Sequence, residues 1–187
     1  PTARQYGDST FVDSFNAGVL IDQSSKLDFY HKSKLVPGVE QLPFADMLAF
    51  MKPFFAHFGG TTGGYGRQAE PSVFYSQSGI GAAPVICYES IWGDYVAQYV
   101  SDGAQFIAVI TNDGWWSDTS GKDQHIQYAK LSAIENRRWV VRSANTGISG
   151  YINQRGDIVQ QTGWWVPAAL SQEINLNEDL TLYSSVK

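Results

Sequence analysis

The 187-residue chain is 43% hydrophobic and 17% charged, a balance that suits one globular domain with a sizeable core and excludes a disordered tract. Its 18 acidic and 13 basic residues, net charge −5, provide no basic stripe for a phosphate backbone, which excludes nucleic acid as a partner. One cysteine cannot form an internal disulfide, and no window approaches the roughly 18 apolar residues of a membrane span.

The chain opens on Pro1-Thr2-Ala3-Arg4-Gln5, without a basic-then-apolar leader pattern, and soon enters strand-forming sequence at Ala17 to Ile21. A first residue other than Met, so close to a strand, leads us to expect a piece of something larger. Tyr30 to Glu40 then brings Lys32, Lys34 and Glu40 close together in sequence, with the two lysines expected on the same side of an extended strand. From Leu42 to Phe58 bulky apolar groups, Phe54 and Phe55 among them, crowd around Pro43 and Pro53, and Gly59 to Gly66 follows as a glycine-rich stretch. An apolar flap on a flexible hinge fits both features, and so does a core helix with a surface loop behind it.

Further strands are expected at Ser72 to Tyr75 and Pro84 to Cys87, then a helix with Ile91, Trp92, Tyr95, Val96, Tyr99 and Val100 on one face. Phe106 to Ile110 reads as a strand running into Thr111-Asn112-Asp113-Gly114-Trp115-Trp116. A second helix is expected from Gln124 to about Arg137, with Asp123 accepting from its first free amides. Strands at Trp139 to Ser143, Ile148 to Ile152 and Ile158 to Gln161 complete the pattern, the last two bracketing the turn Asn153 to Asp157. Strands alternating with helical periodicity predict an α/β fold. Glu135 with Arg137 or Arg138 reads as a helix ion pair, and Asn145 as a turn former.

Chemistry concentrates at strand ends, where α/β folds collect reactive groups. Cys87 ends an apolar run, and Glu89 follows two residues later. Free cysteine has a pKa of about 8.5, so roughly 3% is thiolate at neutral pH unless a cation or base assists. An inert cysteine serving as a small hydrophobe is the competing reading. The glycines after Phe58 lack the Lys-Ser or Lys-Thr of a phosphate cradle. His31, His57 and His125 have no second His or Cys at ligand spacing, so neither a metal nor a cofactor is expected.

Together these blocks resemble the nitrilase (carbon-nitrogen hydrolase) superfamily, and within it the catalytic domain of the bacterial apolipoprotein N-acyltransferases. The likeness rests on Tyr30 to Glu40, on Ile86-Cys87-Tyr88-Glu89, on Asn112 to Trp116, and on Gln124-His125 through Glu135-Asn136-Arg137 to Asn145-Thr146-Gly147. It implies a four-layer αββα sandwich and a Glu-Lys-Cys triad. By resemblance Cys87 is the nucleophile, Lys32 the triad lysine, Glu40 a further active-site carboxylate, and Tyr88 and Glu89 residues flanking the nucleophile. Phe54, Phe55, Trp115 and Tyr88 are the candidate substrate contacts.

The triad glutamate of the family lies upstream of the lysine, and no glutamate precedes Lys32. Residues 1–187 are therefore expected to be the C-terminal part of a nitrilase-like domain, incomplete at its N-terminus, separated from its membrane helices and impaired by itself. The implied activity moves a fatty acyl chain from a phospholipid, through a thioester on Cys87, to the N-terminal amine of a lipoprotein. The implied place is the outer side of the bacterial inner membrane. A soluble amidase or carbamoyl hydrolase, or a non-catalytic lipid-binding domain, are the alternatives.

Overall fold

A computed structural model describes residues 2–6, 9–41 and 64–186. They fall into two units, one of residues 1–17 with 31–70 and the other of residues 18–30 with 71–187. The proposed flap and Phe54 and Phe55 lie outside the described residues.

In the first unit β1 (Thr2–Tyr6) pairs antiparallel with β2 (Ser9–Asp13), Thr2 opposite Asp13 and Tyr6 opposite Ser9. Neither strand was expected, because Thr-Ala-Arg-Gln-Tyr offers no apolar alternation. Beyond them Pro37 and Gly38 build a tight turn. Gly38 has φ 82°, in the left-handed region that glycine enters without steric cost. The Val36 carbonyl accepts from the amides of Val39, Glu40 and Gln41, which folds the chain back on itself.

The second unit holds a ribbon of β3 (Ala17–Leu20) and β4 (Asp28–His31), whose end residues Ala17 and His31 belong to the first unit. Its main sheet contains β5 (Phe74–Tyr75), β6 (Gly81–Ile86), β7 (Phe106–Thr111), β8 (Val140–Ala144), β9 (Gly150–Ile152) and β10 (Ile158–Gln161). The order is β10-β9-β8-β7-β6-β5, with β6, β7 and β8 parallel and the outer pairings antiparallel. Pro84 sits within β6, where a missing N–H would normally break a ladder. It is tolerated because β5 pairs only with Gly81 and Ala82, leaving that side of Pro84 without a β5 partner.

Helices α1 (Gly93–Ser101) and α2 (Ser120–Asn136) pack on this sheet, and a short α3 (Leu182–Ser185) closes the chain. Tyr95, Val96, Tyr99 and Val100 of α1 are buried, as their spacing predicts, and share a core with Val85, Ile107, Val109, Ile126, Ala129 and Val140. Burying each such side chain is worth about 1.5–3 kcal/mol. This is the expected α/β architecture.

Three expectations need correction. Helix α2 begins at Ser120 rather than Gln124, and its cap is Thr119, whose side chain accepts from the Gly121 amide, while Asp123 lies in the first turn. The first turn, Ser-Gly-Lys-Asp, has no apolar residue to reveal it. Strand β4 ends at His31, so Lys32 and Lys34 do not share one side of a strand; Lys32 is buried and Lys34 half-buried. Arg138 does not pair with Glu135; its guanidinium donates to the carbonyls of Ala104, Asn136 and Asp179.

Candidate active site

Lys32 and Glu40 lie in the first unit and Cys87 in the second. The Lys32 ammonium is 1% exposed and donates to Glu40 Oε2 at 2.7 Å. That oxygen also accepts from the Val36 amide at 2.8 Å, and Oε1 accepts from Asn16 Nδ2 at 2.8 Å. The Lys32 amide in turn donates to the Asn16 carbonyl. A buried ion pair is sustained only when its remaining hydrogen-bonding capacity is met, and the Val36–Gln41 turn supplies that for Glu40. The spacing of eight residues between Lys32 and Glu40 is what the turn makes useful.

In the second unit β6 delivers Cys87 to the C-terminal end of the parallel strands, where the chain enters a 3-10 turn, Cys87–Ile91. Cys87 is half-buried and has φ 49°, a left-handed conformation that a non-glycine residue holds at a cost of roughly 1–2 kcal/mol. The turn is secured from below by Glu89, whose side chain is fully buried. Its Oε2 accepts from the Ile86 amide at 2.8 Å, and its Oε1 from the Tyr30 hydroxyl at 2.5 Å. Tyr30 meets the Tyr95 hydroxyl at 2.9 Å, and Tyr99 stands edge-on to both rings. Burial first, then the charge of Glu89 and the hydroxyls of Tyr30 and Tyr95, pushes the Tyr99 phenol well above its ordinary pKa. Tyr88 is half-buried and packs edge-to-face on Trp92.

Behind the turn lies a cluster that the sequence reading missed. Asp113, 1% exposed, opens the 3-10 turn Asp113–Trp116 after β7. Its Oδ1 accepts from the Thr111 hydroxyl at 3.0 Å and faces His125 Nδ1 of α2 at 2.8 Å; its Oδ2 accepts from Arg142 Nη2 of β8 at 2.5 Å. Burial alone would raise the Asp113 carboxyl. The His125 hydrogen bond, the Arg142 charge and Thr111 outweigh it and hold the carboxyl below its ordinary pKa. The other nitrogen of His125, Nε2, reaches Ser90 Oγ at 2.9 Å and the Cys87 carbonyl at 3.2 Å. Arg142 was the available signal, because a charge inside the apolar strand Trp139-Val140-Val141 must find a buried counter-charge. Asn112 caps the same turn by accepting from the Gly114 amide, and the Thr146 hydroxyl donates to it. Trp115 and Trp116 are described only as the end of this turn.

The structure thus joins Lys32 with Glu40, and Cys87 with Tyr88 and Glu89. Among the described residues no group of three or more His, Cys, Asp and Glu could hold a metal ion, and no helix is long and apolar enough to cross a membrane.

Residues 2–178 match the model of the family described as carbon-nitrogen hydrolase. The chain is 33% identical over 176 residues to the apolipoprotein N-acyltransferase of Chlorobaculum tepidum, covering 92% of this chain and 33% of that one. It is 32% identical over 154 residues to the apolipoprotein N-acyltransferase of Vibrio parahaemolyticus, covering 82% of this chain and 30% of the relative. The chain therefore spans about a third of the length of these curated relatives. Among solved structures it is similar in fold to Nit3 of Saccharomyces cerevisiae, a member of the nitrilase superfamily, with a TM-score of 0.59, 16% identity and coverage of 81% and 50% of the two chains. An amidase from Nesterenkonia superposes with a TM-score of 0.58 at 18% identity, over 91% of this chain and 57% of its own.

Proposed function

The chain belongs to the carbon-nitrogen hydrolase family, and on that premise we propose that it supplies the nucleophile of an N-acyltransferase acting on bacterial lipoproteins. The observation that carries this reading is Cys87 held at φ 49° at the end of β6, on a turn bolted down by a fully buried carboxylate. An inert cysteine filling a core has no use for such a conformation, and strain of this kind collects at reactive sites.

In the proposed reaction Cys87 Sγ attacks the ester carbonyl of a phospholipid. The thiol proton passes to the family's triad carboxylate, which the resemblance places N-terminal to Lys32, and then to the departing alkoxide, releasing a lysophospholipid. The amine of the lipoprotein attacks the resulting thioester, the carbon–sulfur bond breaks, and an amide and a free thiol remain. Lys32 is assigned to the developing oxyanion, oriented by Glu40, which Asn16 and the Val36 amide hold in place. Glu89 is assigned to holding the turn, and Tyr88 to the acyl chain beside the sulfur, with Trp115, Phe54 and Phe55 as further acyl contacts. The setting is the outer side of the inner membrane, with membrane-spanning segments of the whole protein bringing the domain to its lipid.

Two relatives at 32–33% identity named apolipoprotein N-acyltransferase favour this substrate class over a small amide, whereas the amidase neighbour, at 18% identity, speaks only to the fold. The test is to incubate the full-length protein with phospholipid labelled in its acyl chain. A hydroxylamine-sensitive label on the enzyme that passes to a lipoprotein amine as a hydroxylamine-resistant amide, both absent in Cys87→Ala, is the expected result. Label retained by Cys87→Ala, or hydrolysis of small amides without acyl transfer, overturns the proposal.

A further inference from the structure

The Asp113–His125 pair has no part in the reaction just described, yet it touches the backbone of the nucleophile. Asp113 is an acceptor through both oxygens, so the nitrogen facing it, Nδ1 of His125, carries a proton. Arg142 Nη2 also approaches Nδ1 at 3.3 Å, but both are donors and their common partner is the carboxylate. The second nitrogen then decides how Cys87 is held. Ser90 Oγ lies 2.8 Å from the Cys87 carbonyl and 2.9 Å from Nε2, and it has a single proton to give. With a neutral ring that proton goes to Nε2, and the carbonyl loses both of these donors. With a charged ring Nε2–H becomes a donor, the Ser90 hydroxyl turns to the carbonyl, and the left-handed residue is held from two sides.

We propose that His125 is a positioning residue of the nucleophile turn, its Nε2 setting, through Ser90 and the Cys87 carbonyl, the backbone geometry from which the sulfur reacts. This rests on the assignment of Cys87 as nucleophile. The charged groups facing the ring are Asp113 from the turn after β7 and Arg142 from β8, with the Ser90 hydroxyl and the Cys87 carbonyl at its other nitrogen.

The experiment follows the carbonyl. A cysteine carbonyl 13C label, with the Cys87 resonance assigned by its loss in Cys87→Ser, reads the hydrogen bonding of that one group in the full-length protein. At one fixed pH the resonance moves from its wild-type position in His125→Ala, which removes Nε2 from the Cys87 carbonyl and from Ser90. It returns toward the wild-type position in His125→Gln, whose amide N–H takes the place of the ring nitrogen. Alkylation of Cys87 by iodoacetamide slows about tenfold in His125→Ala, as loss of one hydrogen bond to the nucleophile turn implies, and is largely recovered in His125→Gln. A resonance that stays at the wild-type position in both His125→Ala and His125→Gln overturns the proposal, as does equal alkylation of wild type, His125→Ala and His125→Gln. Acyl transfer that survives Cys87→Ala instead removes the nucleophile assignment, so the two failures are distinguishable.

Discussion

Lys32 and Glu40 neutralise one another inside the first unit, so removing either leaves the other as a buried charge. Lys32→Ala is expected to destabilise the protein by about 3–5 kcal/mol in denaturant unfolding. On the oxyanion role proposed for Lys32, it also slows acyl-enzyme formation about 10²–10³-fold in single-turnover labelling. Asp113 gives a different signature. Its carboxyl is held below the ordinary range, so it contributes stability above the unfolded-state pKa of about 3.9 and loses that contribution as pH falls through the lower folded value. Asp113→Asn should therefore melt well below the wild type at pH 7, with the gap narrowing below about pH 4 as the wild-type carboxyl is protonated too. A gap independent of pH would contradict the network. The closeness of Lys32 and Glu40 was legible because they share one short motif, and the strand-end position of Cys87 because it closes an apolar run. His125 was not, since its partners Asp113 and Arg142 lie 12 and 17 residues away on separate elements, and only folding joins them.

At the level of elements, strands β7 to β10 and helix α1 could be read within about two residues, and β6 within three, from apolar runs and spacing alone. Strands β1 and β2 and the first turn of α2 could not, because polar sequence there is organised by pairing and by a cap rather than by a buried stripe. Helix α2 ends on Arg137, exposed and left-handed at φ 50°, where glycine is the favoured residue. Arg137→Gly is expected to stabilise by about 0.5–1 kcal/mol, raising Tm by about 1–4 °C in calorimetry, with no effect on acyl transfer. The turn after β8 behaves in the opposite way. A side chain at Gly147 would collide with the Asp113 carboxylate, so Gly147→Ala should lower both Tm and the rate of Cys87 alkylation, coupling a loop that reads as a simple turn to the nucleophile.

In the second unit as a whole, the two ends of the parallel strands have different tasks. Cys87 and Asp113 follow the C-terminal ends of β6 and β7, while Arg138, 1% exposed, precedes β8 at the other end. There it clamps the carbonyls of Ala104, Asn136 and Asp179, and with Asn177 on the Arg137 carbonyl and Thr181 on the Glu135 carbonyl it fastens the irregular C-terminal segment. Arg138→Met should accelerate amide exchange across residues 176–186, measured by mass spectrometry, by about tenfold or more while leaving the Asp113–His125 hydrogen bond intact.

The tyrosines around Glu89 have a consequence at the opposite extreme of pH. A phenol held protonated by the fold ionises freely once the chain opens, so stability present below about pH 10 drains away as the solution becomes more alkaline. The ultraviolet absorbance of phenolate should consequently rise in a late, cooperative step coincident with loss of structure. The molecule carries its own optical gauge of base denaturation directly beneath its sulfur.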